Sequence, residues 1–152
     1  MKKYLFLTLA LTCFVLIGCS QNGDTLTGKM PPDVTIKIEN EQYTIKLGTY
    51  CWTDKCVDTV GPIELLEGET PISVNPGQSI TIDMDYKPQP STTHLLQMTE
   101  NNEAEVMLEN NHFSAPTQQG IYYYSYGVWW ASEKEENTSL GDAFYVFVLK
   151  VK

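Results

Sequence analysis

Apolar and polar side chains alternate along most of the chain after residue 33. A period of two over short stretches rich in β-branched and aromatic residues is typical of half-buried strands. Such stretches occupy residues 34–38, 43–47, 71–74, 80–86, 93–109, 121–130 and 143–151. The last two are the most apolar, and we expect them to lie at the centre of the sheets.

Turn residues separate these stretches. Asn75-Pro76-Gly77-Gln78 has proline and glycine where a β-turn needs them, and Thr99-Glu100-Asn101-Asn102 lies between the two halves of a predicted hairpin. Pro88 and Pro90 end the strand before them, because proline cannot donate to a ladder. We expect no helix after residue 18.

The number of short strands predicts the fold class. Seven or more strands in about 120 residues indicate an all-β domain, a single antiparallel β-sandwich over residues 33–152. Gly120-Ile121-Tyr122, before the penultimate strand, resembles the tyrosine corner of immunoglobulin-like domains. The resemblance implies an immunoglobulin-like architecture and carries no functional residues with it.

The first 19 residues differ in kind from the rest. Lys2 and Lys3 precede an apolar run over residues 4–17, which is shorter than the roughly 20 residues of a spanning helix. Leu16-Ile17-Gly18-Cys19 resembles a bacterial lipobox. The resemblance implies removal of residues 1–18 as a signal peptide and lipidation of Cys19. Residues 20–32 are rich in Gly, Thr, Asn and Pro without apolar periodicity, which predicts a flexible tether to residue 32. The alternative, an ordinary secretory signal, lacks an A-x-A site.

A second resemblance concerns the middle of the chain. Residues 48–58, with the motif Gly48-Thr49-Tyr50-Cys51-Trp52, and the later Gly61-Pro62-Ile63-Glu64-Leu65-Leu66 are similar to uncharacterised lipoproteins of Bacillus-type bacteria. The resemblance implies a Gram-positive host and lipid anchoring at the extracytoplasmic face of the cell membrane. It implies no activity.

Charge narrows the range of partners. Without residues 1–18, eight lysines face 19 acidic residues, a formal charge of −11, and the chain has no arginine. Such a surface repels phosphate backbones and anionic headgroups, so nucleic-acid binding is disfavoured and we expect none. Solubility and calcium or cationic partners are favoured.

Cys51 and Cys56 remain as a pair once Cys13 and Cys19 are assigned to the signal peptide and the anchor. An even pair in an oxidising compartment predicts a disulfide. A redox-active pair would have two intervening residues at a helix start, and here there are four in a strand context. A zinc site would need ligands from His94 and His112, which lack metal-ligand spacing. We therefore expect no metal and no cofactor.

Acidic side chains lie along two of the predicted strands. Asp83 and Asp85 share one face of the first strand, and Glu103, Glu105 and Glu109 lie on the second. Calcium needs oxygens that converge from a loop, which neighbours on a strand do not provide. No feature singles out a glycosidase acid and nucleophile. A solvated face that protects sheet edges is the simpler interpretation.

Aromatic residues offer the best candidate for a binding surface. Alternation sends Tyr122, Tyr124, Tyr126 and Trp130 to one face and Tyr123 and Trp129 to the other. If one face is core, Tyr123 and Trp129 remain for recognition of sugars, peptides or proteins, unless a loop covers them. We expect Trp52, in the disulfide loop, to join them.

These observations predict a non-catalytic binding module anchored in a membrane. No Ser-His-Asp order with a nucleophile elbow, phosphate loop or H-E-x-x-H motif occurs, so no enzyme class is indicated. The ligand would be a cell-wall component or another molecule that the sequence does not identify. The alternative is an accessory protein that docks on a transporter or sensor. A cell-wall hydrolase or thiol redox enzyme has less support.

Overall fold

Two sheets face each other across a hydrophobic core in the computed structural model, which describes residues 25–152. The predicted signal peptide and Cys19 lie outside the described residues. The described part contains both sheets and the core between them, so this range is a folding unit. Its elements are β1 (Thr35–Ile38), β2 (Glu41–Thr44), β3 (Lys46–Trp52), β4 (Lys55–Val57), α1 (Pro62–Leu65), β5 (Ile72–Val74), β6 (Ser79–Asp83), β7 (Thr92–Met98), β8 (Glu103–Val106), β9 (His112–Ser114), β10 (Gly120–Ala131) and β11 (Ser139–Val151).

The strand order confirms the predicted all-β sandwich. The small sheet has the order β2-β1-β6-β9, and the large sheet has the order β4-β3-β11-β10-β7-β8. Neighbours in both sheets are antiparallel. The exception is β5, which pairs parallel with the end of β11, beyond the residues of β11 that pair with β3.

The two longest strands, β10 and β11, lie at the centre of the large sheet, as predicted. They pair from Gly120 opposite Val151 to Ala131 opposite Ser139. Every second residue of β10 from Tyr122 to Trp130 is buried in the core. Residues 132–138 connect the two strands as a mostly exposed loop.

The chain changes sheets at Ile45. The pattern at residues 43–47 predicts one strand, but β2 belongs to the small sheet and β3 to the large one. Ile45 is buried at the junction, and its N–H donates to the Val34 carbonyl at 3.0 Å. Apolar and polar residues continue to alternate through the junction because the two sheets face the same core.

The expectation of no helix after residue 18 is wrong at one place. Pro62–Leu65 form a single helical turn with Gly61 as N-cap, Pro62 at the start and Glu64 in the first turn. Proline suits the first turn, whose N–H groups have no partner, and an acidic side chain is favoured there. Among residues 25–152, no helix has the length and apolar character needed to span a membrane.

Turn and corner motifs form as predicted. The Gln78 N–H donates to the Asn75 carbonyl at 3.1 Å, and Gly77 has φ of 68°. The hydroxyl of Tyr122 donates to the Gln118 carbonyl, four residues upstream, at 3.0 Å. This bond is the tyrosine corner that Gly120-Ile121-Tyr122 predicts.

Three aromatic rings close one end of the core. Trp52 and Trp130 meet edge to face with centroids 4.9 Å apart, and Tyr86 contacts both at 5.5 and 5.9 Å. The Trp130 indole N–H donates to the Pro88 carbonyl at 2.8 Å. We call Trp52, Tyr86 and Trp130 the end cluster.

The end cluster also holds the N-terminal segment, residues 25–33. The Tyr86 hydroxyl accepts from the Thr27 N–H at 2.7 Å, and the Trp52 indole donates to the Gly28 carbonyl at 3.2 Å. Leu26 is buried against Gly141, where a Cβ would lie 2.7 Å from the leucine side chain. The prediction of a flexible tether to residue 32 is therefore wrong for residues 26–32.

Buried tyrosines reach polar partners at their tips. The Tyr145 hydroxyl donates to the Pro32 carbonyl at 2.6 Å, and the Tyr124 hydroxyl donates to Gln97 Oε1 at 2.8 Å. Burial raises the pKa of Tyr126 to about 12 and raises the pKa values of Tyr124 and Tyr145 further. The core thus holds three phenols that stay neutral in the folded state.

These phenols predict loss of stability in alkali. Below about pH 10 they are neutral in both states, and above it only the unfolded chain ionises. The free energy of unfolding should fall by about 1.4 kcal/mol per pH unit for each such tyrosine. Urea unfolding at pH 9 to 11 measures this slope. In Tyr145→Phe the free energy of unfolding should fall less steeply with pH, by about 1.4 kcal/mol per pH unit. An unchanged slope would contradict the burial argument.

Candidate binding surface on the large sheet

The outer face of the large sheet is the face turned away from the core. On β10 it carries Ile121, Tyr123, Ser125, Gly127 and Trp129, which alternate with the core-facing residues; Ser125 and Gly127 are themselves buried beneath their neighbours. Opposite them on β11 lie Val148, Val146, Phe144 and Asp142. A solvated face normally carries polar side chains, whereas this one is largely apolar along both central strands.

Residues 58–71, which we call the crossover segment, cover part of this face. The segment links β4 to β5 and contains α1. Leu66 is buried against Val146 and Val148, and Leu65 and Tyr123 pack beside them. The crossover segment thus forms a second, small apolar cluster on the outer side of the sheet.

Polar contacts to β3 fix the crossover segment at both ends. The Thr59 N–H donates to Thr49 Oγ1 at 3.1 Å near its start. Near its end, the Lys46 ammonium donates to the Leu65 carbonyl at 3.1 Å and pairs with Glu69 at 2.7 Å. Because both ends are held, the segment is a fixed wall on the sheet.

A second group of side chains lies closer to the end cluster. The Trp129 ring meets Phe144 at 5.3 Å and His94 at 5.5 Å, edge to face in both cases. Its six-membered ring fills the space above Gly127, where a Cβ would lie 2.6 Å from Cη2. His94 Nδ1 lies 2.6 Å from Glu105 Oε1. We call Trp129, Phe144 and His94 the outer cluster.

Two grooves beside the crossover segment border β10. The smaller, of about 290 Å³, lies toward Phe144 and Ser125 and is bordered by Thr49, Thr59 and Val60. The larger has a volume of about 630 Å³ and lies on the other side. Its lining residues are Gly61, Pro62, Ile63, Glu64, Glu67, Met98 and Tyr123.

The structure places two of the three predicted binding residues on this face. Tyr123 and Trp129 are both half-buried on the outer side of β10. They are six positions apart, which corresponds to about 20 Å along a strand. Tyr123 lines the larger groove, and Trp129 belongs to the outer cluster, so they do not form one patch.

The prediction that Trp52 contributes to the binding surface is wrong. Trp52 has no exposed area, because alternation along β3 turns it inward with Tyr50. It packs in the end cluster, and its indole N–H bonds the N-terminal segment. Trp52 therefore stabilises the fold and offers no platform to a ligand.

The predicted disulfide joins Cys51 to Cys56. The two residues are direct partners in the β3–β4 hairpin, with Cα atoms 4.0 Å apart. Cys51 is opposite Asp142 on β11, so the bond lies on the outer side of the sheet. It holds together the hairpin at the edge of the large sheet.

Other ionisable groups are engaged locally. His112 Nδ1 lies 2.7 Å from the Asn110 carbonyl, and Asp83 pairs with Lys37 at 2.7 Å. Within residues 25–152, no group of three or more His, Cys, Asp or Glu side chains is placed to hold a metal ion.

Phe144 and His94 were missed by the sequence argument. Both lie opposite Gly127 on neighbouring strands, and Trp129 fills the gap that the glycine leaves between them. A glycine inside an otherwise aromatic strand marks such a close approach. Gly127 is the signal that would have located this cluster.

Comparisons with known protein families, with curated proteins and with solved structures give no match for this chain. The resemblance to lipoproteins therefore stays a prediction.

Gly127→Ala tests the packing of the outer cluster. The new Cβ would meet the Trp129 and Phe144 rings at 2.6 and 3.0 Å, so the rings must shift. We expect a loss of about 1 to 3 kcal/mol in the free energy of unfolding. In a Trp129→Ala background the same change should cost less, which urea unfolding of all four proteins measures.

Gly61→Ala is the matched control. Its Cβ would enter open space, and the expected change is within about 0.5 kcal/mol. An equal cost of Gly127→Ala with and without the Trp129 ring would show that the ring does not occupy this space.

Proposed function

We propose that this chain is a bacterial lipoprotein, held by lipid on Cys19 at the extracytoplasmic face of the cell membrane, whose sandwich acts as a non-catalytic binding module. The observation that carries the binding role is the outer face of β10 and β11. This face presents Tyr123, Trp129 and Phe144, and the crossover segment covers only part of it. Half-exposed aromatic rings beside grooves are typical of ligand-binding surfaces.

The charge of the protein defines the class of ligand. The whole chain has a formal charge of −9 and no arginine. Carboxylates of Glu64, Glu67 and Asp142 lie on or beside the outer face. Anionic polymers and headgroups are repelled by such a surface, and a neutral or cationic molecule with an apolar part fits it.

The docked N-terminal segment determines how the domain would be held. Leu26, which is buried against the sandwich, is seven positions after Cys19. A chain of that length spans at most about 25 Å when fully extended. The end cluster would therefore face the membrane at short range, and the larger groove would lie toward the opposite end of β10.

Cys19→Ser tests the anchor. The lipobox pattern predicts that this change releases the protein from the membrane fraction into the soluble fraction, because the acylated atom is lost. Cell fractionation and immunoblotting measure the distribution. Cys13→Ser, within the residues predicted to be removed, should leave the protein membrane-bound. Membrane attachment of the Cys19→Ser protein would contradict lipidation.

Thermal unfolding tests the binding role. Residues 25–152 are melted with neutral sugars, cell-wall fragments, calcium, zinc, and cationic and anionic peptides. A neutral or cationic ligand at a hundred times its dissociation constant should add about 2.7 kcal/mol of stability. Ligand stabilisation should be reduced by a substitution on the outer face, either Trp129→Ala or Tyr123→Ala. It should persist in Tyr43→Ala, on the small sheet.

An absence of stabilisation across the panel would contradict a soluble ligand. The accessory role, docking on a membrane protein, would then be tested by crosslinking from positions 123 and 129 in cells. Stabilisation that is unchanged in both outer-face variants would place the ligand on another surface.

A further inference from the structure

The larger groove has an apolar floor and a fixed wall. Tyr123 and Met98 are opposite partners on β10 and β7 and form the floor. α1 and the residues beside it form the wall, with Ile63 36% exposed at the edge. The wall is held by Leu66 beneath it and by the contacts of Lys46 and Thr59 described above.

Carboxylates lie on both sides of this floor. Glu64 and Glu67 line the groove from the crossover segment. Glu103 is opposite Met98 on β8, and directly opposite residues of an antiparallel pair share a face of the sheet. None of these three carboxylates has an ion pair within residues 25–152.

Two lysines lie on strands near the groove but outside its lining. Lys46 lies across the crossover segment, where Glu69 pairs with it at 2.7 Å. Lys150 is opposite Ile121, one step beyond Tyr123 on the outer face. The residues that line the groove include no lysine. The groove therefore combines apolar contact with a negative potential.

The width of the floor suits a helix. Tyr123 and Glu103 lie on strands two positions apart in the sheet, β10 and β8, with β7 between them. Two strand spacings are about 10 Å, close to the diameter of an α-helix with its side chains. The docked N-terminal segment is bonded by Trp52 and Tyr145, which face the core, so it does not cover the floor on the outer side of the sheet.

We propose that the larger groove binds a cationic amphipathic peptide. Its apolar face would lie on Tyr123 and Ile63, with the buried Met98 beneath, and its lysine or arginine side chains would meet Glu64, Glu67 and Glu103. A second copy of this chain is a poor occupant because it has the same negative charge. The inference rests on the proposed function, since it names the ligand class for the outer face.

The probe is a fluorescein-labelled 18-residue peptide of lysine and leucine with leucine on one helical face. Fluorescence anisotropy with residues 25–152 measures its dissociation constant. We expect saturable binding that weakens as sodium chloride rises from 50 to 500 mM. A peptide of the same composition without a helical apolar face, and one with glutamate for lysine, should bind at least about tenfold more weakly.

Two double variants with the same change in net charge distinguish binding in the groove from general electrostatic attraction of the peptide to the protein. Glu64→Lys with Glu67→Lys should weaken binding about tenfold or more. Glu135→Lys with Glu136→Lys, in the exposed loop after β10, should weaken it less than about threefold. Equal weakening by both pairs would overturn the groove as the site.

Ile63→Ser tests the apolar contribution. Ile63 is at the exposed edge, so the change removes peptide contact without opening the core. Binding should weaken about threefold to tenfold, while the melting temperature stays close to that of the parent. Unchanged binding would contradict the apolar contact.

Failure of this inference differs from failure of the proposed function. If the lysine–leucine peptide does not bind but another panel ligand stabilises the protein through Trp129 or Tyr123, the peptide proposal falls and the binding module stands. If neither this peptide nor any panel ligand binds, both fall.

Discussion

The pairing of β10 with β11 is the constraint on which the rest of the structure depends. Twelve and 13 residues long, these strands supply the centre of the large sheet and much of the core. Their side chains are apolar on both faces, and a sandwich has only one core to bury them. The crossover segment covers Val146 and Val148, which are part of the apolar outer face. The part of this face that it leaves exposed is the candidate binding surface.

The aromatic rings that pack in the core also hydrogen-bond the backbone through their polar atoms. Each ring of the end cluster takes part in a hydrogen bond with the backbone, and Tyr145 donates to another carbonyl. Three of these bonds go to residues 25–33, and in the described part of the chain no buried side-chain polar atom lacks a partner. A segment without regular secondary structure is thus held by the polar tips of the core.

Local patterns predicted the strands, the hairpins, the disulfide and the tyrosine corner, because each depends on alternation or on a short motif. The failures involve contacts between distant parts of the chain. Residues 26–32 have the composition of a tether, and the groups that hold them are on Trp52, Tyr86 and Tyr145. β9 and α1 have three and four residues, too few to establish a period. Long-range pairing also hid the contact of Phe144 and His94 with Trp129, which forms only when β7, β10 and β11 pair.

The docked N-terminal segment gives the domain a defined response to mechanical load. A pull on the chain before Leu26 is transmitted first to that side chain and then to the hydrogen bonds at Thr27, Gly28 and Pro32, one after another. These contacts would rupture in sequence, from the outside inward, before the ladder of β1 with β6 bears any force. Seven released residues would lengthen the connection by up to about 25 Å. The segment would then act as an extensible spacer, yielding while both sheets stay intact.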